Sequence, residues 1–379
     1  MPHSRRSFLQ QAVGGWIAAA GVMDQAVFRA VQARAQSAGA PSNLFDIERV
    51  AEDTYLALAR PAAILNCNAA IFVNSRDVLV VDTHSKPSAA AALAAQIRRE
   101  ITPKPVRYVV NTHFHYDHSQ GTRAYRNLQP QPQILASAVT RSVLAEKGAK
   151  LVQASVETAR QNAESYRQKL SKASSPAEQA FCRRMMEELE AFAREMRDYT
   201  PELPDITFDS DLTIHDRARD LRLVFRGRAH TESDICVFCP QTKSLATGDL
   251  VVGFVPGMGD GHPHEWPATL DRMAELPFTK VLPGHGPFQP DRQRYFQQKA
   301  YIEELNESVM RAKRSGKNLD ETQRAVTPAT LRTLDPGGFG GYLIKAESTY
   351  RMRPPGAPIE EQIATSVKGN VAASYGQAV

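Results

Sequence analysis

The stretch "NTHFHYDHSQG", residues 111–121, packs four potential metal ligands into six residues. They are His113, His115, Asp117 and His118. The preceding "VRYVV" is β-branched and follows a proline, so it predicts a short buried strand that ends at the cluster. His113 and His115 alternate along an extended segment and can face one ion, whereas Asp117 and His118 lie past the turn and can face another. Because imidazole mixed with carboxylate suits zinc best, the spacing predicts two neighbouring zinc ions.

The charge of the chain argues against a nucleic-acid partner. At 379 residues and 42% hydrophobic, the chain can bury a large core, and one or two domains are expected. The formal net charge is +5, but the first 35 residues hold four arginines against one aspartate. The remaining surplus of about +2 is too small to favour nucleic acid or an anionic membrane surface.

The first 35 residues predict a targeting segment. "SRRSFLQ", residues 4–10, resembles the twin-arginine export consensus and departs from it at Gln10, where lysine is frequent. The apolar run at 12–23 is too short to span a bilayer, and Ala33-Arg34-Ala35 fits a small-x-small cleavage site. We therefore predict export by the twin-arginine machinery to the periplasm, with the signal peptide removed and no stable membrane anchor.

The four cysteines do not form a zinc ribbon. Cys236 and Cys239 make one C-x-x-C with no second pair, inside the strand-like run "DICVFC". Residues three apart on a strand point to opposite faces, so free buried thiols are expected there. In an oxidising compartment, a disulfide that involves Cys67 or Cys182 is the alternative.

Two strand-rich halves, each closed by helices, predict a layered α+β sandwich. The first half contains "TYLAL", "AAIFVN" and "DVLVVDT"; the second begins near Ile206 with "LTIHD", "LRLVFRG", "DICVFC" and "SLATGD". Helical segments follow Gly286, then "GGFGG" at 337–341, which we interpret as a hinge before a tail.

A charged helical insertion, about residues 139–197, separates the halves. Its second helix opens with a capping box at Ser175 and Glu178 and carries an apolar stripe. The stripe consists of Phe181, Met185, Leu189, Phe192 and Met196. The pattern favours a hairpin packed on the body; a lid that faces substrate is the alternative.

Three further candidate ligands follow predicted strands. His230 follows "LRLVF", Asp249 follows "SLATG", and His285 follows "KVLP" between two glycines. If these strand ends meet at one sheet edge, the three side chains complete the site begun at residues 113–118. The H-x-H at His262 and His264 is interpreted as a polar loop, and Trp266 as the anchor of the next helix.

The H-x-H-x-D-H motif with its downstream His, Asp and His resembles the metallo-β-lactamase superfamily over roughly Ile47 to Pro290. The resemblance implies a four-layer αβ/βα sandwich with a two-metal site at its edge. It implies a metallo-β-lactamase-like domain at 44–290 with the insertion inside it, and a C-terminal helical extension and tail at 291–379. It also implies the ligand roles. His113, His115 and His230 would hold the first zinc, Asp117, His118 and His285 the second, Asp249 would bridge both, and Asp82 would support the metal loop.

Asp249 separates the chain from two branches of this family. Family β-lactamases with a cysteine at the second metal place it where Asp249 stands, and those with a D-H pair typically lack a bridging aspartate. The carboxylate resembles the branch of thioesterases and lactonases. The flavodiiron branch carries a glutamate at the position of His115, which disfavours that iron redox role.

These observations predict an exported zinc hydrolase of a small molecule. Two zinc ions sharing a water would supply a metal-bridging hydroxide at neutral pH, with Asp117 orienting it and taking up its proton. The bond cleaved would be an ester, thioester, lactone or lactam. The alternatives are a β-lactamase proper, a mononuclear-iron enzyme of the persulfide dioxygenase type, and a non-catalytic binding protein on the same scaffold.

Overall fold

Twelve β-strands form two sheets in the computed structural model, which describes residues 44–61 and 66–378. The first sheet runs in the order β1 (Phe45–Ala51), β2 (Thr54–Ala59), β3 (Ala69–Val73), β4 (Val78–Val81), β5 (Val106–Val110), β6 (Gln133–Ser137) and β7 (Ile206–Phe208). The second is ordered β12 (Lys280–Pro283), β11 (Ser244–Gly248), β10 (Ile235–Cys239), β9 (Asp220–Phe225) and β8 (Asp211–His215). The predicted signal peptide, residues 1–35, lies outside the described residues.

The two sheets pack face to face through the alternate residues of their strands. Phe72 and Val81 of the first sheet share one buried cluster with Leu223, Val237 and Leu282 of the second. The central strands β3, β4, β10 and β11 form because they bury β-branched and aliphatic side chains on both faces. This cluster is the central core of the sandwich.

Helices cover the outer faces of both sheets. On the first sheet, α1 (Pro87–Glu100) places Leu93 and Ile97 in a second buried cluster with Ile71. Two short helices follow, α2 (Tyr116–Ser119) and α3 (Thr122–Arg126). On the second sheet, Cys236 and Phe238 point away from the central core yet are buried, because α6 (Trp266–Ala274) and later helices cover them. The expected four-layer αβ/βα sandwich is confirmed.

The predicted insertion is a helical hairpin of α4 (Ala138–Leu170) and α5 (Pro176–Glu195). It is the crossover between β6 and β7, which pair in parallel. The prediction that the second half begins near Ile206 is therefore wrong for β7, which belongs to the first sheet. The hairpin is tied to α1 because Ser88 donates from its backbone and hydroxyl to Glu195, both at 2.7 Å.

Four helices follow the second sheet: α7 (Gln293–Arg314), α8 (Leu319–Ala325), α9 (Phe339–Tyr350) and α10 (Ile359–Gln377). The expectation of a glycine hinge before a tail is wrong, since Gly338 is the N-cap of α9 and the chain beyond it is largely helical. Asn370 on α10 donates to Pro256 O and to Tyr301, both at 2.9 Å, so the end of the chain packs on the body. The predicted domain boundary at 290 stays a prediction.

Among the described residues, no helix has the length and apolar character that crossing a membrane requires. The four cysteines are all free and buried, as expected for Cys236 and Cys239. Cys239 lies in the core between the sheets, whereas Cys236 lies on the opposite face of β10. The two cysteines of the C-x-x-C therefore cannot form a disulfide with each other.

Candidate metal centre

The predicted ligands all follow the carboxyl ends of strands at one edge of the sandwich. The loop after β5 carries the cluster at 113–118, and the loop after β9 carries His230. Asp249 follows β11 and His285 follows β12, which is parallel to β11. Parallel strands bring their carboxyl ends to one edge, so residues more than 170 positions apart along the chain become neighbours.

Two glycines make this close approach of loops possible. Gly248 has φ +49°, and a Cβ there would lie 2.4 Å from the hydroxyl oxygen of Thr112. A Cβ on Gly284 would lie 2.2 Å from Asp249 Oδ1. Any larger residue at either position would displace Asp249 or the loop that holds His113.

The first group of ligands is a triangle of imidazoles. The ring centroids of His113, His115 and His230 are separated by 4.7, 4.8 and 4.9 Å, and the rings stand close to perpendicular to one another. One nitrogen of each lies within 4.8 Å of the others. Three edge-on imidazoles with convergent nitrogens are a suitable donor set for one tetrahedral metal with an open position.

The second group contains Asp117, His118 and His285, whose ligand atoms also lie within 4.8 Å of one another. Asp117 Oδ2 is 3.1 Å from His285 Nε2 and 3.6 Å from His118 Nε2. Asp249 lies between the groups: its carboxylate oxygens are 3.8 Å from His230 Nε2, 3.4 Å from His118 Nε2 and 3.5 Å from His285 Nε2. Asp249 is thus the carboxylate that contacts histidines of both groups.

Asp82 holds the metal loop from behind. It accepts from the backbone N–H of Thr112 at 2.8 Å and from His118 Nδ1 at 2.8 Å, which turns His118 Nε2 towards the centre. The side chain of Thr112 in turn lies 3.0 Å from His113 Nδ1. Asp82 has φ +70°, an uncommon conformation for a residue with a Cβ. Strained backbone of this kind is often found at functional sites, and here it lies beside the predicted ligands.

Two supporting residues, Asp260 and Asp234, were not identified from the sequence. Asp260 accepts from His115 Nε2 at 3.1 Å, and this hydrogen bond lowers the pKa of the Asp260 carboxyl. Asp234 lies 3.7 Å from His230 Nδ1 and accepts from the loop at Thr231. Asp234 stands four residues after His230, a spacing that could have marked it. Asp260 lies in a glycine-rich loop with no comparable signal.

Trp266 anchors the start of α6, as predicted, and also packs beside the site. Its indole is fully buried and donates to Leu250 O at 3.1 Å, and its ring lies 5.8 Å from the ring of His230. His262 and His264 do not join either ligand group. His264 instead lies 3.0 Å from Ser374 O on α10.

Burial and charge hold His113, Asp117 and Asp249 in the forms that bind metals, whereas acidic neighbours outweigh burial and raise the pKa of His118 and His230. Burial lowers the pKa of His113 well below its usual range, so its imidazole is neutral. For Asp249, burial works against ionisation, but His285 and His118 outweigh burial and hold its pKa well below the usual range. The same balance, with His118 and His285 outweighing burial, lowers the pKa of Asp117 to about 2.

Three buried ligand atoms without a hydrogen-bond partner fit a bound cation. Among the described residues, the buried side-chain atoms that lack such a partner include His113 Nε2, His118 Nε2 and Asp249 Oδ1, which belong to the predicted ligand set. Such atoms are costly unless something pairs with them. Among the described residues, the ion pairs of Asp82, Asp117 and Asp249 are all with histidines, and neutral histidines together with ionised carboxylates would form a donor set suited to a cation.

The centre opens into a cleft of about 440 Å³. The ligands Asp117, His230, Asp249 and His285 form one side of it. The rest of the lining includes Arg60 and Pro61 after β2, Val252, Phe254 and Val255 after β11, and a set from the helical additions. That set consists of Met185 on α5, Tyr350 at the end of α9, Arg351 and Met352.

Comparison with known proteins identifies the fold and the family. The sequence model of the metallo-beta-lactamase superfamily matches residues 63–285, more than half of the chain. The chain belongs to the metallo-beta-lactamase superfamily. Members of this superfamily are mostly metal-dependent hydrolases, and all seven predicted ligands lie within the matched residues.

Solved metallo-beta-lactamases are similar to this chain at low sequence identity. A metallo-beta-lactamase from Pontibacter korlensis has a TM-score of 0.50 at 18% identity, covering 68% of this chain and 99% of that one. TMB-1 and the DIM-1 metallo-beta-lactamase each have a TM-score of 0.49, at 16% and 18% identity, with 69% of this chain and 98% of each of theirs covered.

Proposed function

We propose that this member of the superfamily is a zinc-dependent hydrolase that cleaves an ester, thioester, lactone or lactam bond of a small molecule. The observation that supports this best is the pair of ligand groups on one side of an open cleft, with Asp249 in contact with histidines of both. A closed structural site would leave no room for substrate or water.

The ligand assignment follows the two groups. His113, His115 and His230 would hold one zinc, Asp117, His118 and His285 the other, and Asp249 would contact both. Two zinc ions bound there would lower the pKa of a water towards about 7 and stabilise the negative charge that develops on a carbonyl oxygen.

The remaining chemistry belongs to the side chains. Asp117 would orient the attacking water and accept its proton, since its carboxylate lines the cleft beside His285. The water oxygen would bond to the carbonyl carbon, the bond to the leaving group would break, and the leaving group would take the proton that Asp117 accepted. Asp82 and Asp260 would hold His118 and His115 in the required orientation.

Metal analysis and a substrate panel test this proposal together. We expect close to two zinc ions per chain in purified mature protein, with hydrolysis of at least one ester, thioester, lactone or lactam. His115→Ala should lose zinc and activity, whereas His264→Ala is the matched control, because His264 contacts α10 rather than the ligands. One iron per chain with oxygen-dependent turnover of a persulfide would contradict the proposal. Rapid hydrolysis of nitrocefin, with no other substrate of the panel hydrolysed, would narrow the proposed function to that of a β-lactamase.

Export is a separate proposal that rests on the sequence of residues 4–10. We propose transport by the twin-arginine machinery to the periplasm, which moves folded proteins and so suits a chain that acquires its metal first. Replacement of Arg5 and Arg6 by lysine should leave uncleaved precursor in the cytoplasm, detected by fractionation and immunoblotting. Normal export and cleavage of that double variant would contradict the twin-arginine assignment.

A further inference from the structure

Among the described residues that line the cleft, two arginines, Arg60 and Arg351, have no role in holding the metals. Arg351, just after α9, lines the cleft with Asp117 and Asp249, and its side chain is 40% exposed. Its guanidinium carbon lies 4.2 Å from the centre of the Phe254 ring, in a cation–π contact. The side chain is thus held against the wall of the cleft rather than extended into solvent.

A buried carboxyl holds Arg351 from one side. Glu347, one helical turn earlier on α9, is 1% exposed and lies 3.5 Å from Arg351 Nη1, and it also accepts from Gln362 at 3.1 Å. Burial raises the pKa of the Glu347 carboxyl above its usual value. A guanidinium has five N–H donors, so contact with Glu347 through Nη1 leaves capacity for a second carboxylate.

The other cation of the cleft, Arg60, already has a carboxylate partner. Arg60 donates through Nε and Nη2 to Asp46 at 3.0 and 2.7 Å, which satisfies its charge. Arg351 therefore supplies the positive charge in this cleft that is best placed to meet an anionic ligand. The apolar surfaces of Met185, Met352 and Phe254 lie in the same cleft.

We propose that Arg351 binds a carboxylate of the substrate and so makes the enzyme selective for acyl compounds that carry an anionic group away from the scissile bond. This inference rests on the proposed hydrolase function. The guanidinium would form a charge-assisted, bidentate pair with the carboxylate, while the side chains of Met185 and Met352 contact the intervening carbon chain. The specificity residue comes from the C-terminal extension, outside the residues matched by the family.

Two chromogenic esters that differ only in charge test the proposal. The mono-4-nitrophenyl ester of glutaric acid carries a free carboxylate, and its methyl ester is neutral. For the zinc-loaded protein we expect a higher kcat/KM with the anionic ester. In Arg351→Gln the ratio of anionic to neutral kcat/KM should fall about tenfold or more, mainly through KM, and Arg351→Lys should restore part of it.

Arg353→Gln is the matched control. It removes the same charge two residues further along, but Arg353 donates to Ala357 O at 2.9 Å and is not among the residues that line the cleft. The ratio should stay at the parent value in this variant. An equal fall in both variants, or an unchanged ratio in Arg351→Gln, would overturn the assignment.

Binding of glutarate, measured by calorimetry, separates this inference from the hydrolase proposal. Weaker glutarate binding to Arg351→Gln than to the parent and to Arg353→Gln supports the carboxylate site even if neither ester is hydrolysed. In that case it is the proposed function that fails for these esters. Equal glutarate affinity in all three proteins overturns the carboxylate site, whatever the esters show.

Discussion

The cleft has two sides of different origin. The metal side is built on strand ends, where each ligand is buried or half-buried and held by neighbours such as Asp82 and Thr112. The opposite side comes from the hairpin α4–α5 and from the helical extension, which contribute side chains such as Met185 and Arg351. Strand ends of a packed sheet hold atoms in place to within the tolerance that metal chemistry requires, whereas added helices can change without disturbing that geometry. We therefore expect changes on the metal side to affect kcat and metal content, and changes on the helical side to affect substrate preference.

Asp249→Ala should have the largest effect, since Asp249 contacts histidines of both groups. We expect loss of the second metal. The fall in activity should exceed the roughly 10- to 100-fold that is typical when an outer-shell partner is lost. The fold should persist, because the core between the sheets is separate. Zinc content and circular dichroism check this, with Asp271→Ala, an exposed position on α6, as control. Two tightly bound zinc ions in Asp249→Ala would exclude the bridging role.

Asp117→Asn should come next, because it keeps the size and one oxygen of the side chain but loses its charge. The loss of a proton acceptor predicts a fall in kcat of at least about a hundredfold even with zinc in excess. The melting temperature should change much less than kcat. Steady-state kinetics at saturating zinc measures this effect. A kcat within a few-fold of the parent would show that Asp117 does not orient the nucleophile.

Asp82→Asn should weaken the metal centre without removing a ligand. Asp82 orients His118 and the loop at Thr112, so its loss should reduce zinc affinity by about 10- to 100-fold. Excess zinc should restore most of the activity, which distinguishes this variant from Asp117→Asn. Competition with a chromophoric chelator measures the affinity. Unchanged affinity would mean that Thr112 and the surrounding backbone position His118 by themselves.

Met185→Ala should have the smallest effect and should sharpen the contrast between the two sides. Met185 lines the cleft from α5, so its truncation removes apolar contact with substrate but no metal ligand. We expect zinc content to remain at the parent level and kcat/KM to change by about tenfold or less, most for long acyl chains. A series of 4-nitrophenyl esters of increasing length measures the preference. Loss of zinc in this variant would contradict the separation of the two sides.

The hairpin illustrates why one of its two interpretations could not be chosen from the sequence. The apolar stripe on α5 predicts burial but not the partner. In the structure Leu189 and Phe192 pack within the hairpin, and Phe192 lies 6.2 Å from the ring of Tyr116 in the metal loop. Met185, on the same stripe, packs against this cluster and also lines the cleft. One stripe therefore serves packing along most of its length and contacts the cleft at one position.

Local pattern was enough to place most strands and the ligand candidates. Alternating or continuous apolar runs predicted β2 to β5 and β8 to β12, because a strand that buries a face must repeat apolar residues with a short period. β1 was not singled out, since as an edge strand it is only partly buried and reads as polar. β6 and β7 are short and flank the insertion, so sequence order assigned β7 to the wrong sheet.

By itself, the sequence determined the class of fold, the family resemblance and the seven candidate ligands, since strand ends and metal-binding side chains leave local signatures. Only the tertiary structure decided which residues support the ligands and which form the rest of the cleft. Asp260 and Arg351 carry no motif. Their proximity to the metal side arises from long-range packing of loops and C-terminal helices against the sandwich, and pairing between distant segments leaves no period in the chain. Asp249 could be proposed from the sequence as a bridging residue, but its contacts with His118, His230 and His285 exist only once four strand ends meet at one edge.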